Sequence, residues 1–149
     1  MGVSSDQILY ADNLLENDSN ISLATNVTGY ACWGYHGFLG NQWATNGSVQ
    51  FVGDSNWFIM MSAESWNGQW FPRDNQGSFQ RWFEPNAFGG TAYSNTPVGA
   101  ISNVSEPSCV NNAARYFTLW ESGKFFAICA WSSACSFKLQ ATGDPFVVK

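Results

Sequence analysis

Glu64 is the carboxylate best placed to do chemistry. It follows the apolar run Trp57-Phe58-Ile59-Met60-Met61, and simple alternation sets it on the face of Phe58, Met60 and Trp66. Partial desolvation there would raise its pKa toward the range of a general acid. Paired with Asp54, Glu84, Glu106 or Glu121, it would make the two-carboxylate machinery of a glycoside hydrolase. Nothing in the sequence fixes the separation of any such pair, and Glu84 and Glu106 each precede a proline, as turn residues do. Nucleophilic catalysis has less behind it. A Cys or Ser nucleophile usually needs a base, and His36 is the only histidine. There is no Gly-x-Ser-x-Gly elbow.

One histidine and four unclustered cysteines do not make a metal site, and no acidic series resembles a calcium loop. Phosphate-loop and dinucleotide signatures are missing as well, so no cofactor is expected. Cys129 lies inside an apolar run and reads as a buried small hydrophobe. Cys135, just beyond it, could staple to Cys109 or to Cys32.

The aromatic loops make the stronger functional case. Trp33 and Tyr35 stand in a glycine-rich segment. Trp66 and Trp70 flank Asn67-Gly68-Gln69, where Asn-Gly marks a tight turn. Ser78-Phe79-Gln80-Arg81-Trp82-Phe83 echoes this pattern and brings in Trp82. An indole can carry the apolar face of a sugar ring while neighbouring amides bond its hydroxyls. The same residue types suit a wet protein interface. The ligand-binding set expected from sequence is therefore Trp33, Tyr35, Trp66, Asn67, Gln69, Trp70 and Trp82.

The elements that must position these residues read as strands. Gly, Asn, Ser and Thr break the chain into short aromatic and β-branched runs. Strands are expected at Ile21–Thr28, Gly77–Phe83, Val98–Val104, Phe137–Ala141 and Phe146–Val148. A further strand pair, Val49–Val52 with Trp57–Trp66, would turn at Gly53-Asp54-Ser55-Asn56. Asp6–Glu16 fits a short helix or a strand. Tyr116–Trp120 and Phe125–Trp131, joined by a short Gly-containing link, read as a β-hairpin in the middle of a sheet. The expected fold is all-β, an antiparallel β-sandwich or jelly roll with little helix, in one domain over residues 1–149.

Charge narrows the partners. Aromatic residues make up 17% and charged residues 11%, where an average domain is about 25% charged. The net charge of −5 comes with scattered Lys and Arg, which excludes a phosphate-binding patch for nucleic acid. The longest apolar run is too short for membrane insertion. Scarce Lys, abundant Asn, Ser and Thr, and sequons at Asn17, Asn20, Asn26, Asn46 and Asn103 suggest an extracellular or virion setting, without a signal peptide in this chain. The expectation is a non-enzymatic domain that recognises a glycan or cell-surface protein. The alternatives are a self-assembling subunit of a virion, fibre or surface layer, forming a homo-oligomer, and a hydrolase built on Glu64.

Overall fold

The computed structural model of the chain describes residues 23–32, 49–71 and 76–149. These form β1 (Leu23–Thr25), β2 (Gly29–Cys32), β3 (Gln50–Val52), β4 (Ile59–Ser62), β5 (Gly99–Asn103), α1 (Ala113–Glu121), α2 (Phe126–Ser133) and β6 (Leu139–Gly143). Two 3-10 helices, Phe79–Phe83 and Ala87–Gly89, lie between β4 and β5. The architecture is mixed α/β, and it replaces the all-β sandwich expected from sequence.

The main sheet runs β2-β4-β5-β6, with β2, β4 and β5 parallel and β6 antiparallel at the edge. β1 and β3 form a separate parallel pair. The expected pairing of Val49–Val52 with the strand after it does not occur. β3 joins β1, while β4 lies between β2 and β5. Parallel neighbours need long crossovers, so the turn at Gly53–Asn56 leads into a different sheet.

β4 and β5 are buried along their whole length, as central strands of a parallel sheet covered on both faces should be. Alternation divides their side chains between two cores. Phe58, Met60 and Ala100 face Val49, Phe51, Trp82 and Phe88. Ile59, Met61 and Ile101 face Tyr116, Trp120, Phe126, Cys129 and Ala130. In the first core Phe88 adopts a left-handed backbone (φ 51°) while fully buried. Its ring stacks on Phe51 at 4.6 Å, and Tyr30 and Phe58 meet it edge-on.

The second core corrects the expected hairpin. Tyr116–Trp120 and Phe125–Trp131 fall almost wholly in two antiparallel helices. Asn112 caps α1, its Oδ1 accepting the Arg115 N–H at 2.9 Å. Tyr116 and Trp120, one turn apart, point at the sheet. The Tyr116 hydroxyl donates to the Met60 carbonyl (3.2 Å), and the Trp120 indole donates to that of Thr28 (3.1 Å). The helix ends in a Schellman turn: Gly123 takes φ +73°, its N–H bonds the Trp120 carbonyl, and the Lys124 N–H bonds that of Leu119. α2 then returns across the sheet. Glycines in the strands let both helices lie close. A Cβ on Gly29 would fall 2.6 Å from the Phe117 ring, and one on Gly99 would fall 2.6 Å from the Phe126 ring.

Gly77–Phe83 is likewise not a strand. It contains the 3-10 helix that carries Trp82 into the core. Val98–Val104 and Phe137–Ala141 overlap β5 and β6, whereas Phe146–Val148 is irregular. Asp6–Glu16 lies outside the described residues.

Candidate functional site

The carboxyl ends of β2, β4 and β5 open on one edge of the sheet, where open parallel sheets hold their ligands. Cys32 ends β2 opposite Ser62, which ends β4. Asn103 ends β5, and its side chain ties together the chain segments around the strand end. Its Nδ2 donates to the Glu64 carbonyl at 2.7 Å. Its Oδ1 accepts from Asn111 Nδ2 at 3.3 Å. Its backbone N–H bonds Asn67 Oδ1 (3.2 Å), and its carbonyl accepts the Gly68 N–H (2.8 Å). Gln69 continues the seam, its amide donating to the Val104 carbonyl at 2.8 Å. The Ser65–Trp70 turn is thereby laid along the end of β5. Gly68 is required there, because a Cβ would sit 2.8 Å from the Asn103 carbonyl oxygen.

Beside this seam lies a cavity of about 250 Å³. Asn103 and Asn111 line it from the strand end, Ala63 and Ser65 from the chain leaving β4, and the Glu106–Val110 loop from the other side. That loop is held at two points, with a third just beyond its end. The Lys138 ammonium donates to the Glu106 carbonyl at 2.6 Å. Cys109 is bridged to Cys135, with Cα atoms 6.0 Å apart. Next to the bridge, Asn111 Oδ1 accepts the Cys135 N–H at 3.1 Å. A crosslink between residues 26 apart in the sequence is worth roughly 3–4 kcal/mol in the chain-entropy account. Ser108, inside the loop, takes a left-handed φ of 63°, a conformation that tends to cluster at ligand sites.

The disulfide joins Cys135 to the first of the two partners left open by the sequence. Cys129 is buried, and Cys32 is a free, half-buried thiol. Burial first, then the charge of Glu64, push the Cys32 thiol well above its ordinary range, while the Ser62 hydroxyl pulls the other way. A thiol held protonated is a poor nucleophile. Burial, with a smaller contribution from Cys32, likewise raises the Tyr30 hydroxyl.

The structure distributes the sequence-derived candidates widely. Trp70 is 67% exposed and the neighbouring Phe71 82%. Trp66 is half-buried, its N–H bonded to Gln76 Oε1. Gln69 holds the seam to β5, and Asn67 is fully buried. Trp82 is a core residue, 1% exposed, and offers no surface. Trp33, Tyr35 and His36 lie outside the described residues. Glu64 is buried, with Oε2 accepting the Gly77 N–H at 3.1 Å. Of its proposed partners, Glu84 pairs with Arg81 at 3.1 Å, Glu121 with Lys149, and Asp54 lies exposed in a loop. Only Glu106 reaches the cavity.

Sequence reasoning missed Asn103, Asn111 and Ser65 as a group. No local motif joins them; the one cue was Cys109, two positions before Asn111. The chain matches no family model, no curated protein and no solved structure.

Proposed function

We propose that this protein is a binding protein whose ligand seats in the cavity at the carboxyl ends of β4 and β5. The ligand is small, neutral and rich in hydroxyl or amide groups. The carrying observation is the lining: polar Ser65, Asn103, Ser108 and Asn111, on a frame locked by strand ends and a disulfide. About 250 Å³ is below the roughly 300–1,000 Å³ of sites for drug-sized molecules. Glu106 is the one charged residue in the lining, and its main-chain carbonyl is already taken by the Lys138 ammonium. With a single charge among otherwise neutral lining residues, a neutral polar ligand is the best fit. Glu64 acts in this reading as a brace for Gly77, not as an acid catalyst.

The test is a titration followed by amide NMR, with a panel of neutral sugars, polyols and small amides as probes. Binding should shift resonances of residues 63–65 and 103–111 and leave the Phe51–Phe88 core unmoved. Val110→Trp should fill the mouth of the cavity and weaken binding at least tenfold. Val110 is 71% exposed, so the variant should fold normally. If no probe shifts the cavity residues, or if the shifts survive in Val110→Trp, the reading is wrong.

A further inference from the structure

Helix α2 has the sequence Phe-Ala-Ile-Cys-Ala-Trp-Ser-Ser and carries no charge. Phe126, Cys129, Ala130 and Ser133 face the core. The opposite side is just as apolar, with Ile128 45% and Trp131 72% exposed. A helix that is hydrophobic all round belongs in an interior, yet half of this one faces solvent. The apolar surface continues past the helix. Phe125 precedes it, and its ring meets the exposed Phe146 ring at 6.1 Å. The Trp57 indole, itself half-exposed, donates to the Val148 carbonyl at 2.9 Å. These contacts link Trp57, Val148, Phe146 and Phe125, and Ile128 and Trp131 continue from Phe125 at i, i+3 spacing along α2, so the six form one apolar band among the described residues.

We propose that this band is the two-fold contact of a homodimer, so that its occupant is a second copy of this chain. Scaling aromatic side-chain areas by the observed exposures gives on the order of 600 Å² of apolar surface. That is at or above the largest patch of an ordinary monomer, about 300–600 Å². Interface cores are about 65% apolar, and a stable pair buries about 800 Å² per partner. The band therefore supplies the apolar share of one side of such an interface. Charge does not oppose a copy at this face. The chain is acidic overall, at −5, and two copies repel on most approaches. The band itself holds no charged side chain, so this face can meet itself without a like-charge penalty. At its edge Lys124 precedes Phe125 and Asp144 precedes Pro145-Phe146. Both are exposed and opposite in sign. A two-fold axis near Phe125 would bring the cation of one copy toward the carboxylate of the other, the self-complementarity that an isologous contact demands.

Sedimentation equilibrium of the full chain, from low micromolar to near millimolar, tests the proposal. The expected result is a concentration-dependent dimer. Trp131→Glu and Ile128→Glu should each weaken dimerisation at least tenfold with an unchanged far-ultraviolet circular dichroism spectrum. Phe137→Glu, at a 96% exposed position outside the band, should leave it intact. A chain that stays monomeric throughout, including a monomer that binds some other protein through this face, overturns the proposal. So does a dimer indifferent to both α2 variants.

Discussion

The two helices lie side by side on the same face of the sheet and are nearly equal in length, yet they are built on different principles. α1 closes itself. Asn112 caps its start, a Schellman turn ends it, and its apolar stripe of Tyr116 and Trp120 is backed by exposed Ala114, Arg115 and Glu121. α2 has no side-chain cap. Its first N–H groups are satisfied by the end of the chain, Phe126 bonding the Val147 carbonyl (2.9 Å) and Ala127 that of Pro145 (3.1 Å). It has no polar stripe. Short helices are marginal in isolation, and α1 offsets this with local signals where α2 relies on neighbours. One helix is finished by its own sequence. The other is finished by the tail on one side and, in the dimer we propose, by a second copy on the other.

Two tryptophans break that comparison most sharply. Trp120 is fully buried and hydrogen-bonded to Thr28, so Trp120→Ala should cost about 3–5 kcal/mol. Trp131→Ala in α2 should change monomer stability by no more than about 0.5 kcal/mol, as exposed sites do. Chemical denaturation at low protein concentration measures both. Equal losses would mean that Trp131 is packed within the monomer, and the contrast between the helices would disappear.

A smaller effect separates the titrating groups, one on each helix. Tyr116 is raised well above its ordinary range by burial first, then by Cys129. Cys129 is raised by burial, with a backbone hydrogen bond opposing. A raised folded pKa means that the native state holds its proton after the unfolded chain has released it. The stabilisation is complete below the unfolded value, about 10 for Tyr, and is lost as pH rises through the folded value. Tyr116→Phe should cost about 1 kcal/mol at neutral pH, from the lost bond to the Met60 carbonyl. That deficit should shrink in alkali, because the variant has no phenol to ionise. Urea unfolding at neutral and strongly alkaline pH gives both values, and a deficit that stays constant refutes the assignment.

The same contrast explains what could be read in the sequence. β4 and β5 were legible because short apolar runs end at clear turns, Gly53–Asn56 before β4 and Glu106-Pro107 after β5. Their parallel order was not, because nothing local shows which strand will lie beside which. Tyr116–Trp120 and Phe125–Trp131 looked like strands because aromatic and β-branched residues fill them. Apolar runs this short do not reveal their period. The discriminating residues lie just upstream of the first run, in Asn112-Ala113-Ala114, a capping residue followed by the best helix formers. α2 has no such prefix, and its helical state comes from packing. The cavity was less legible still. Asn103 ends a recognisable strand, but Ser65, Glu106 and Asn111 meet it only through the strand order and the disulfide. Trp82 and Asn67, chosen by type, went to the interior because a large ring, and an amide whose Oδ1 bonds the end of β5, serve the core as readily as a ligand.

The subtlest difference between the helices is in their caps. Asn112→Ala removes the acceptor for the Arg115 N–H and should destabilise the protein by about 1 kcal/mol. At the matching position of α2 stands Phe125, which caps nothing. Phe125→Asn should supply a side-chain acceptor while removing a ring from the apolar band. Monomer stability should then hold or rise by a few tenths of a kcal/mol, while dimerisation weakens. Denaturation of the dilute protein, set beside sedimentation of the concentrated protein, separates the two effects. A Phe125→Asn variant that loses stability as a dilute monomer would show that the ring supports α2 from within the fold. The exposed side of the helix would then need no second copy to explain it.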